Sequence, residues 1–323
     1  MKAVVCTQYG SPDVLQLQEV ATPIPKDNEV LIKVHAISIT AADTMIRKGE
    51  PVFGRLFLGL TKPKNPIQGT GFAGVIVDRG NSVLDFQIGD KVFGETGVNF
   101  SAHAEYICMD EAGVIAKKPI NISFEEAAPI CDGALTSLNF LKEMAQIQPG
   151  QKVLINGASG SLGTAAIQLA KHFGAEVTGV CSTANLEMVF GLGADKVIDY
   201  TKENFPQGKE VYDVIYDAVG KSSFSKCKSA LKKGGQYLSP VLDLTLLAQM
   251  MWTSIFGNKK AKFSATGLKP IPELRILLNE LATYIEEGTV TSIIDRCYDL
   301  DEVVDAHRYV DTGHKRGNVV IAF

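Results

Sequence analysis

Three glycines within seven residues indicate a place where the backbone itself contacts a ligand. They are Gly157, Gly160 and Gly163, in the stretch INGASGSLGTAAIQLAK at 155–171. Gly157 would allow a tight turn after a strand, Gly160 would leave room for a pyrophosphate, and Gly163 would let a helix pack closely on the sheet. The N–H groups of the first helical turn and the helix dipole favour an anion there. The stretch predicts a dinucleotide phosphate site; the alternative is a tightly packed turn without a ligand.

The elements around this turn show the alternation of strands and helices that such a site needs. Alternation of this kind predicts a parallel, doubly wound sheet. A glycine turn that follows a strand and opens a helix is the context in which the motif indicates a dinucleotide. The predicted strands are 152–157, 176–181, 196–200 and 213–220, and the predicted helices include 161–173 and 222–235.

The residues before about 120 show a different pattern, which predicts short strands separated by turns. They are rich in β-branched and aromatic residues, and Gly, Pro and Asn stand between the strands. One short helix is predicted at 40–49, ending on Gly49, and a capping box of Ser123 and Glu126 predicts a helix start after residue 122. The segments after about 265 either extend the parallel sheet or return to the first domain.

The composition bounds the class of protein. With 323 residues, 46% of them hydrophobic, two domains are expected, because single cores stop growing at roughly 250–300 residues. The net charge of −4, without a long run of one sign, argues against nucleic acid as a partner. Six cysteines without CxxC spacing predict reduced thiols in a cytoplasmic protein, and the N-terminus has no signal-peptide pattern.

The longest apolar stretch, 237–256, is a candidate for a membrane segment. It contains Asp243, Gln249 and an internal proline, whereas a spanning helix needs about 20 largely apolar residues. We therefore expect no stable membrane insertion. The stretch instead predicts a helix that covers a pocket or an interface, and a homodimer is possible.

The end of the second strand of the alternating region bears on the identity of the dinucleotide. NAD-specific folds usually place an acidic residue there to hold both ribose hydroxyls. This strand instead ends in Cys181, Ser182 and Thr183, so no carboxylate of its own repels a 2′-phosphate. Ser182, Thr183 and Asn185 could donate hydrogen bonds to that phosphate, although no Arg or Lys follows within the turn. We therefore expect NADPH, with NADH the less favoured coenzyme.

Motifs along nearly the whole chain resemble those of the medium-chain dehydrogenase/reductase superfamily, in its zinc-free quinone oxidoreductase branch. They include MKAVVCTQYGSPDVLQLQEV, GFAGVIVDRG, PGQKVLINGASGSLG, GADKVIDY and KRGNVVI. The resemblance implies an α/β fold in two domains. A mostly-β GroES-like catalytic domain would comprise 1–122 and 265–323, and a Rossmann domain with a doubly wound parallel sheet would comprise 123–264.

The resemblance also implies roles for individual residues in holding the coenzyme. Tyr200 matches a tyrosine near the adenosine phosphate, Thr136 a threonine near the nicotinamide, and Ala218 and Val219 the stretch beside the nicotinamide ribose. The position of a basic residue in quinone reductases is Asn185 here. The complete predicted coenzyme-binding set is Thr136, Gly157, Ser159, Gly160, Ser161, Leu162, Gly163, Ser182, Thr183, Asn185, Tyr200, Ala218, Val219, Ser239 and Gly317.

Zinc is not expected, although some members of the superfamily use it. Those members have a Cys early in the first domain, a His-Glu pair, and a later Cys or Asp. The corresponding places here hold Thr40, then Gly69, Thr70 and Gly71, then Asp132. Zinc prefers sulfur or imidazole ligands, so this set does not suit it. The four clustered cysteines of the structural zinc lobe are also missing.

Without zinc or a flavin motif, the implied chemistry is direct hydride transfer from NADPH to a quinone or an α,β-unsaturated carbonyl compound. Thr40 and Asp43 stand where the family has its polar catalytic pair. Thr40 would bond the nicotinamide or the substrate carbonyl, or else cap the helix at 41–47. Asp43 could equally bond the backbone of that helix, and no strong general acid is visible, so the proton donor is unassigned.

The predicted substrate-binding residues are Met45, Phe53 and Trp252. Met45 replaces a tyrosine that many quinone reductases carry, and Phe53 lies in an apolar loop, 50–66, that either lines a substrate mouth or merely anchors itself. Trp252 lies in the apolar segment 241–257. The predicted partner is a small apolar carbonyl compound or quinone. The alternatives are a catalytically idle NADPH-binding sensor or partner-binding protein, and an enoyl-thioester reductase.

Overall fold

The strands form a two-stranded, a six-stranded and a seven-stranded sheet in a computed structural model that describes all 323 residues. The chain divides into two compact units, unit 1 (Met1–Asp132 and Gly267–Phe323) and unit 2 (Gly133–Thr266). The strands are β1 (Lys2–Cys6), β2 (Leu15–Glu19), β3 (Glu29–Ile39), β4 (Gly71–Arg79), β5 (Lys91–Glu95), β6 (Tyr106–Asp110), β7 (Val114–Lys117), β8 (Lys152–Asn156), β9 (Glu176–Cys181), β10 (Lys196–Asp199), β11 (Tyr212–Asp217), β12 (Leu231–Ser239), β13 (Lys260–Phe263), β14 (Ile294–Asp299) and β15 (Asn318–Ala322).

Several helix ends follow signals in the sequence. The helix after Thr40 starts with a capping box and ends on Gly49, whose φ of 66° is left-handed. The helices are α1 (Ala41–Lys48), α2 (Arg55–Leu58), α3 (Phe124–Ala127), α4 (Ile130–Leu138), α5 (Ser161–His172), α6 (Leu186–Gly191), α7 (Phe224–Cys227), α8 (Leu244–Ile255), α9 (Ile271–Glu286) and α10 (Val303–Asp311), and α4 continues as a π-helical segment, Asn139–Met144.

Unit 2 contains the predicted parallel sheet. Its strand order is β10-β9-β8-β11-β12-β13, and every neighbouring pair is parallel. This is the doubly wound order in which a ligand crevice opens where the chain changes direction across the sheet, between the first and fourth strands. Those strands are β8 and β11. The core contains the buried Leu154, Val180, Ile215 and Tyr237.

Unit 1 contains the seven-stranded sheet. Its main path is β14-β15-β3-β4-β5-β7, and β6 pairs with β3. All its pairs are antiparallel except β14 with β15. Because β15 pairs with β3, the C-terminal segment returns to the first domain, which was one of the two alternatives left by the sequence. Buried Ile32, Phe72, Ile76, Val319 and Ile321 belong to its core.

The boundary between the units lies later in the chain than the predicted 122/123. The segment with the Ser123 capping box, α3, packs on β3 and β4 and so belongs to unit 1. The structure places the change at Asp132/Gly133, within α4, and the second boundary at Thr266/Gly267 rather than at 264/265.

The predicted helix at 222–235 is wrong over most of its length. Ser223 does cap a helix, since its side chain accepts the Lys226 N–H, but α7 ends at Cys227. Leu231 is already in β12, where it pairs with Tyr212. The lysines and serines of this stretch have no strong preference against a helix, so the pairing of the buried Leu231 with β11 overrides the local pattern.

Candidate functional site

The glycine turn, 157–163, joins β8 to α5 in unit 2. At Gly157, with a φ of 78°, a Cβ would come within 2.4 Å of the Val219 side chain, and at Gly163 it would lie 2.1 Å from the Gly157 carbonyl oxygen. Packing therefore accounts for these two glycines. At Gly160 the nearest atom would be the Gly157 oxygen at 3.5 Å, an ordinary contact. The protein itself leaves the space beside Gly160 open.

The N-terminus of α5 is suited to an anion. The helix has 12 residues and begins after Gly160, which has no side chain that could accept from the first helical N–H groups. Those groups and the helix dipole favour a phosphate at this end. The predicted Ser161, Leu162 and Gly163 form the first turn of α5, so the structure brings the core of the predicted phosphate site together.

A buried carboxylate joins the carboxyl ends of the central strands. Asp217, which is fully buried, accepts hydrogen bonds from Asn156 Nδ2 (2.7 Å), Tyr237 OH (2.9 Å) and the Ser222 N–H (2.8 Å). The Ala218 N–H donates to the Asn156 carbonyl (3.1 Å). These bonds fix the ends of β8, β11 and β12 where the crevice opens. Sequence reasoning missed Asp217; a carboxylate that ends an apolar strand was the available signal.

The end of β9 carries polar side chains with unexpected partners. Asn185 is buried, and its Nδ2 donates to Ser159 Oγ (3.1 Å) and Ser182 Oγ (3.2 Å). It therefore ties the glycine turn to the end of β9. Thr183 donates its hydroxyl to the Asp199 carboxylate. The structure thus brings Ser159, Ser182 and Asn185 together through hydrogen bonds.

Asp199 and Lys202 place a negative and a positive charge near the end of β9. The sequence analysis predicted neither of them as a site residue. Asp199 lies on β10 opposite Cys181, and the hydrogen bonds from Thr183 and Thr201 lower its pKa to about 2. Lys202 Nζ lies 3.5 Å from the Asp199 carboxylate and is mostly exposed. Although β9 ends without a carboxylate of its own, the neighbouring strand therefore supplies one, together with a cation.

The remaining residues predicted to bind coenzyme fall in both units. Thr136 lies on α4, Ala218 and Val219 follow β11, and Tyr200, half exposed, follows β10. Ser239 ends β12, with its hydroxyl bonded to the Val241 backbone, and it lies in unit 2 with the others.

Gly317 lies in unit 1, just before β15. Its φ is 73°, and a Cβ there would come within 2.3 Å of the Ile293 carbonyl oxygen, so local packing already requires glycine. Its role toward a coenzyme stays a prediction.

Thr40 and Asp43 form the capping box of α1 in unit 1. The Thr40 N–H and Oγ1 both donate to Asp43 Oδ2, at 2.8 and 2.6 Å, and the Asp43 N–H donates to Thr40 Oγ1 at 3.2 Å. The capping role that the sequence left open is therefore present. A role of this pair toward a substrate stays a prediction. To bond a substrate carbonyl, the Thr40 hydroxyl would have to turn its hydrogen away from Asp43 Oδ2.

Asp132 is the centre of a second polar group in unit 1. It accepts hydrogen bonds from the Ser38 and Thr70 hydroxyls, the latter at 2.9 Å. Gly71 makes room for it, because a Cβ there would lie 2.5 Å from Asp132 Oδ2. The sequence reasoning had treated Asp132 as an isolated carboxylate. Two strands and α4 instead converge on it.

Three carboxyl groups of unit 1, which we call the carboxyl cluster, affect one another's protonation: Asp43, Glu95 and Asp132. Burial raises the pKa of Asp43, and burial with the charge of Asp43 raises that of Asp132. Burial, and then the charge of Asp132, raises the pKa of Glu95 to about 8. Burial lowers the pKa of Lys315 to about 8, opposed by the charges of Asp132 and Asp295. Glu95 is therefore mostly protonated at neutral pH.

The residues at the place of a catalytic zinc do not fit that metal. Thr40, Thr70 and Asp132 offer hydroxyl and carboxyl oxygens, whereas zinc sites of this kind use thiolate and imidazole. No group of three or more His, Cys, Asp or Glu side chains in the chain is arranged to hold a metal ion. We derive no chemistry through a zinc ion.

The predicted substrate-binding residues are partly or largely exposed. Met45 and Phe53 are 37% and 57% exposed in unit 1, and Trp252 is 65% exposed on α8 of unit 2, packed on Phe256 at 4.9 Å between ring centroids. In unit 1 the walls of a cavity of ≈ 350 Å³ include Phe57 and Leu58 of the apolar loop, but not Met45 or Phe53. None of the helices, α8 included, is both long enough and apolar enough to cross a bilayer.

Two family models match the chain. Residues 26–120 match the model described as the alcohol dehydrogenase GroES-like domain, and residues 192–321 match the one described as zinc-binding dehydrogenase. The GroES-like unit and the later strands of the Rossmann sheet, β10 to β13, thus both have a counterpart. The predicted fold class is confirmed.

Curated relatives match over almost the full length. A 2-methylene-furan-3-one reductase of Solanum lycopersicum is 35% identical over 333 aligned positions, which cover 99% of this chain and 79% of the relative. A chloroplastic NADPH-dependent alkenal/one oxidoreductase of Arabidopsis thaliana is 33% identical with the same coverage. A chloroplast envelope quinone oxidoreductase homolog of that plant is 33% identical and covered to 98%.

Solved structures agree with these relatives. The quinone oxidoreductase from Coxiella burnetii has a TM-score of 0.88 at 32% identity, with 100% of this chain and 99% of that chain covered. The Escherichia coli quinone oxidoreductase complexed with NADPH has a TM-score of 0.85 at 25% identity, with both chains fully covered.

Together, the two units and the glycine turn define a dehydrogenase with separate catalytic and nucleotide-binding domains. The chain belongs to the medium-chain dehydrogenase/reductase superfamily, in its quinone oxidoreductase-like branch, as the motifs predicted. It is an oxidoreductase of a family that uses NAD(P)H.

Proposed function

We propose that the protein transfers a hydride from NADPH to an α,β-unsaturated carbonyl compound or a quinone, without zinc. The observation that carries this proposal is the open space beside Gly160 at the start of α5, in a sheet of dinucleotide-binding order. The substrate class rests on the relatives, which are named as enone, alkenal and quinone reductases. When bound, the coenzyme supplies the hydride.

The chain's own residues would hold and orient the coenzyme. The backbone of the glycine turn would bind the diphosphate, and Thr136, Ala218 and Val219 are the proposed contacts of the nicotinamide half. The bonds that Asp217 accepts keep the ends of three strands rigid beside these residues. Rigid placement of this kind supports hydride transfer, because a fixed geometry lowers the entropic cost of reaching the transition state.

Thr40 and Asp43 are the proposed polar groups toward the substrate. The Asp43 carboxyl has a raised pKa and a 2.6 Å hydrogen bond from Thr40 Oγ1. A protonated carboxyl bonded to a hydroxyl can hold a proton close to a substrate oxygen without a metal ion. Because burial raises the pKa of Asp43 to about 6, the protonated form would be populated mainly below neutral pH, and we propose the pair as the general acid that the sequence alone did not offer.

Preference for NADPH would depend on residues at the ends of β9 and β10. A 2′-phosphate there would meet the Ser182 and Thr183 hydroxyls and the Lys202 ammonium group. Asp199 carries the opposing charge, but it already accepts bonds from Thr183 and Thr201 and lies beside Lys202. The cation that the turn after β9 lacks is therefore available from the neighbouring strand.

Replacing Lys202 with alanine should weaken NADPH binding about tenfold and leave NADH binding unchanged, since only NADPH carries the 2′-phosphate. Titration of each coenzyme against the protein, followed by nicotinamide fluorescence, measures both dissociation constants. Lys233→Ala removes another exposed lysine of unit 2 and should change neither. An equal loss of affinity for the two coenzymes, or no loss of affinity at all, would show that Lys202 does not bind the 2′-phosphate.

The reaction is tested by following NADPH oxidation with a panel of substrates: short-chain enones, quinones, a saturated ketone, and an enoyl thioester on its acyl carrier. We expect turnover with enones or quinones, none with the saturated ketone, and no effect of a zinc chelator. Tight NADPH binding without any turnover would favour the idle sensor. Turnover of the carrier-bound thioester alone would favour an enoyl-thioester reductase.

A further inference from the structure

Asn185 stands at the N-terminal end of α6 but does not cap that helix. An asparagine at this position usually accepts a hydrogen bond from the first helical turn through its side-chain oxygen, whereas the Asn185 side chain accepts none. Only 8% of the residue is exposed, and Oδ1 has no hydrogen-bond partner. A buried amide oxygen without a donor opposes folding. The local structure of α6 therefore does not explain why an asparagine is buried here.

The amide nitrogen of Asn185 has both of its hydrogens engaged. Nδ2 donates to Ser159 Oγ at 3.1 Å and to Ser182 Oγ at 3.2 Å. The reverse orientation of the amide would leave two buried N–H donors without a partner instead of one oxygen, and unpaired buried donors are the rarer case. Both hydrogens are thus used inside the protein, and any effect of Asn185 on a coenzyme phosphate would pass through the two serines.

The two serine hydroxyls keep hydrogens that the protein does not use. Each oxygen accepts from Asn185 Nδ2, and neither Ser159 nor Ser182 donates its hydroxyl hydrogen to another atom of the protein. Both serines are half-buried, so a ligand atom can reach them. A hydroxyl whose oxygen already accepts a hydrogen bond can still offer its hydrogen to an acceptor outside. The arrangement suits a ligand with two acceptor groups, one for each hydroxyl.

The positions of these serines match two phosphate sites of the proposed coenzyme. Ser159 lies in the glycine turn, where we place the diphosphate, and Ser182 directly follows β9, where we place the 2′-phosphate. Phosphate oxygens are strong acceptors because they are ionised. Since one amide group bonds both hydroxyls, it fixes the distance between them and restricts the directions in which they can donate.

We propose that Asn185 is a positioning residue that orients the Ser159 and Ser182 hydroxyls as hydrogen-bond donors to the diphosphate and the 2′-phosphate of NADPH. Asn185 contacts no coenzyme atom itself, because its side-chain oxygen is buried and its amide hydrogens are bonded to the serines. It contributes to the preference for NADPH, since NADH offers a phosphate to Ser159 but none to Ser182. The inference deepens the proposed function and rests on it for the identity of the coenzyme.

The test measures the dissociation constants of NADPH and NADH by nicotinamide fluorescence, which needs no turnover. Ser182→Ala should weaken NADPH binding about tenfold and leave NADH binding unchanged, because it removes a hydrogen bond to the 2′-phosphate. Ser159→Ala should weaken the binding of both coenzymes about tenfold. Asn185→Leu keeps the approximate shape of the side chain and leaves both hydroxyls present but no longer oriented. We therefore expect it to cost about threefold for each hydroxyl, which is about threefold for NADH and about tenfold for NADPH.

A double-mutant cycle separates positioning from a merely structural role. In a protein that already carries Ser159→Ala and Ser182→Ala, Asn185→Leu should change neither dissociation constant, because the groups through which it acts are gone. A residue that only supported the two loops would weaken binding in that background as well, and by the same factor for both coenzymes. Asn258→Leu, at an exposed asparagine of the same unit, should change neither constant in the wild type.

Three results would overturn the proposal: a loss of affinity that persists without the two hydroxyls, an equal loss for NADPH and NADH in Asn185→Leu, or wild-type affinity in that variant. The alanine variants decide the matter even if Asn185→Leu does not fold. Unchanged NADPH affinity in Ser182→Ala would show that this hydroxyl does not donate to the 2′-phosphate, and the proposal would be wrong.

The positioning role and the proposed reaction fail separately. NADPH binding that depends on Asn185, in a protein that reduces neither enones nor quinones, would uphold the positioning role and reject the proposed reaction. Enone reduction by Asn185→Leu with wild-type affinity for NADPH would uphold the reaction and reject the positioning role.

Discussion

Gly160→Ala should weaken NADPH binding about a hundredfold or more without destabilising the protein. Its φ of −86° and ψ of 179° suit any residue, and the nearest atom to an added Cβ lies at 3.5 Å. Alanine at such a position changes the free energy of unfolding by less than about 1 kcal/mol, and often stabilises. The methyl group would instead occupy the space that we assign to the diphosphate. Titration calorimetry with NADPH and urea unfolding measure the two effects.

Gly163→Ala is the matched control, because it should destabilise the protein itself, whereas Gly160→Ala should affect only coenzyme binding. Its Cβ would lie 2.1 Å from the Gly157 carbonyl oxygen, so α5 must move away from the end of β8. We expect a loss of about 1–3 kcal/mol or more in the free energy of unfolding. If Gly160→Ala bound NADPH like the wild type, the assignment of the diphosphate to this turn would be wrong.

Glu95 should lose its stabilising contribution as the pH rises from about 5 to about 8, so that Glu95→Gln becomes more stable than the wild type over this window. The Glu95 pKa is raised from 4.5 to about 8 by burial and the charge of Asp132. Between these values the unfolded chain has lost this proton and the folded protein has kept it, so the folded state binds more protons. Stability therefore falls with rising pH across this window, by about 3 kcal/mol for this group.

The amide of Glu95→Gln matches the neutral carboxyl in shape but cannot ionise. The variant should equal the wild type at pH 5 and exceed it at pH 8, as measured by urea unfolding at both values. Above pH 8 the lowered pKa of Lys315 acts in the opposite direction, which sets the upper limit of the window. Glu50→Gln, at an exposed carboxyl of the same unit, should keep the wild-type slope. Parallel slopes for wild type and Glu95→Gln would show that Glu95 ionises normally.

Local patterns in the sequence were sufficient for the phosphate-binding turn and its sheet. Glycine spacing, strand length and helical periodicity are set by residues close together in the chain, and the parallel order followed from the alternation of elements. The same kind of signal correctly predicted the Thr40 and Ser123 helix starts. It failed at 222–235, where pairing with a distant strand decided the structure.

Groups brought together by strand register were not predictable in this way. Asp199 and Lys202 reach the end of β9 only because Asp199 lies opposite Cys181 in the neighbouring strand. The partners of Asp132, Ser38 and Thr70, come from positions far away in the chain.

The most direct measurement of the central claim is the fate of deuterium from the reactive face of NADPH labelled at C4 of the nicotinamide, followed by NMR of the product. With an enone as substrate and no added metal, we predict that the label appears on the β-carbon of the saturated ketone. The second hydrogen should come from water. Label released to solvent, or product formed only after zinc is added, would contradict direct hydride transfer on this protein.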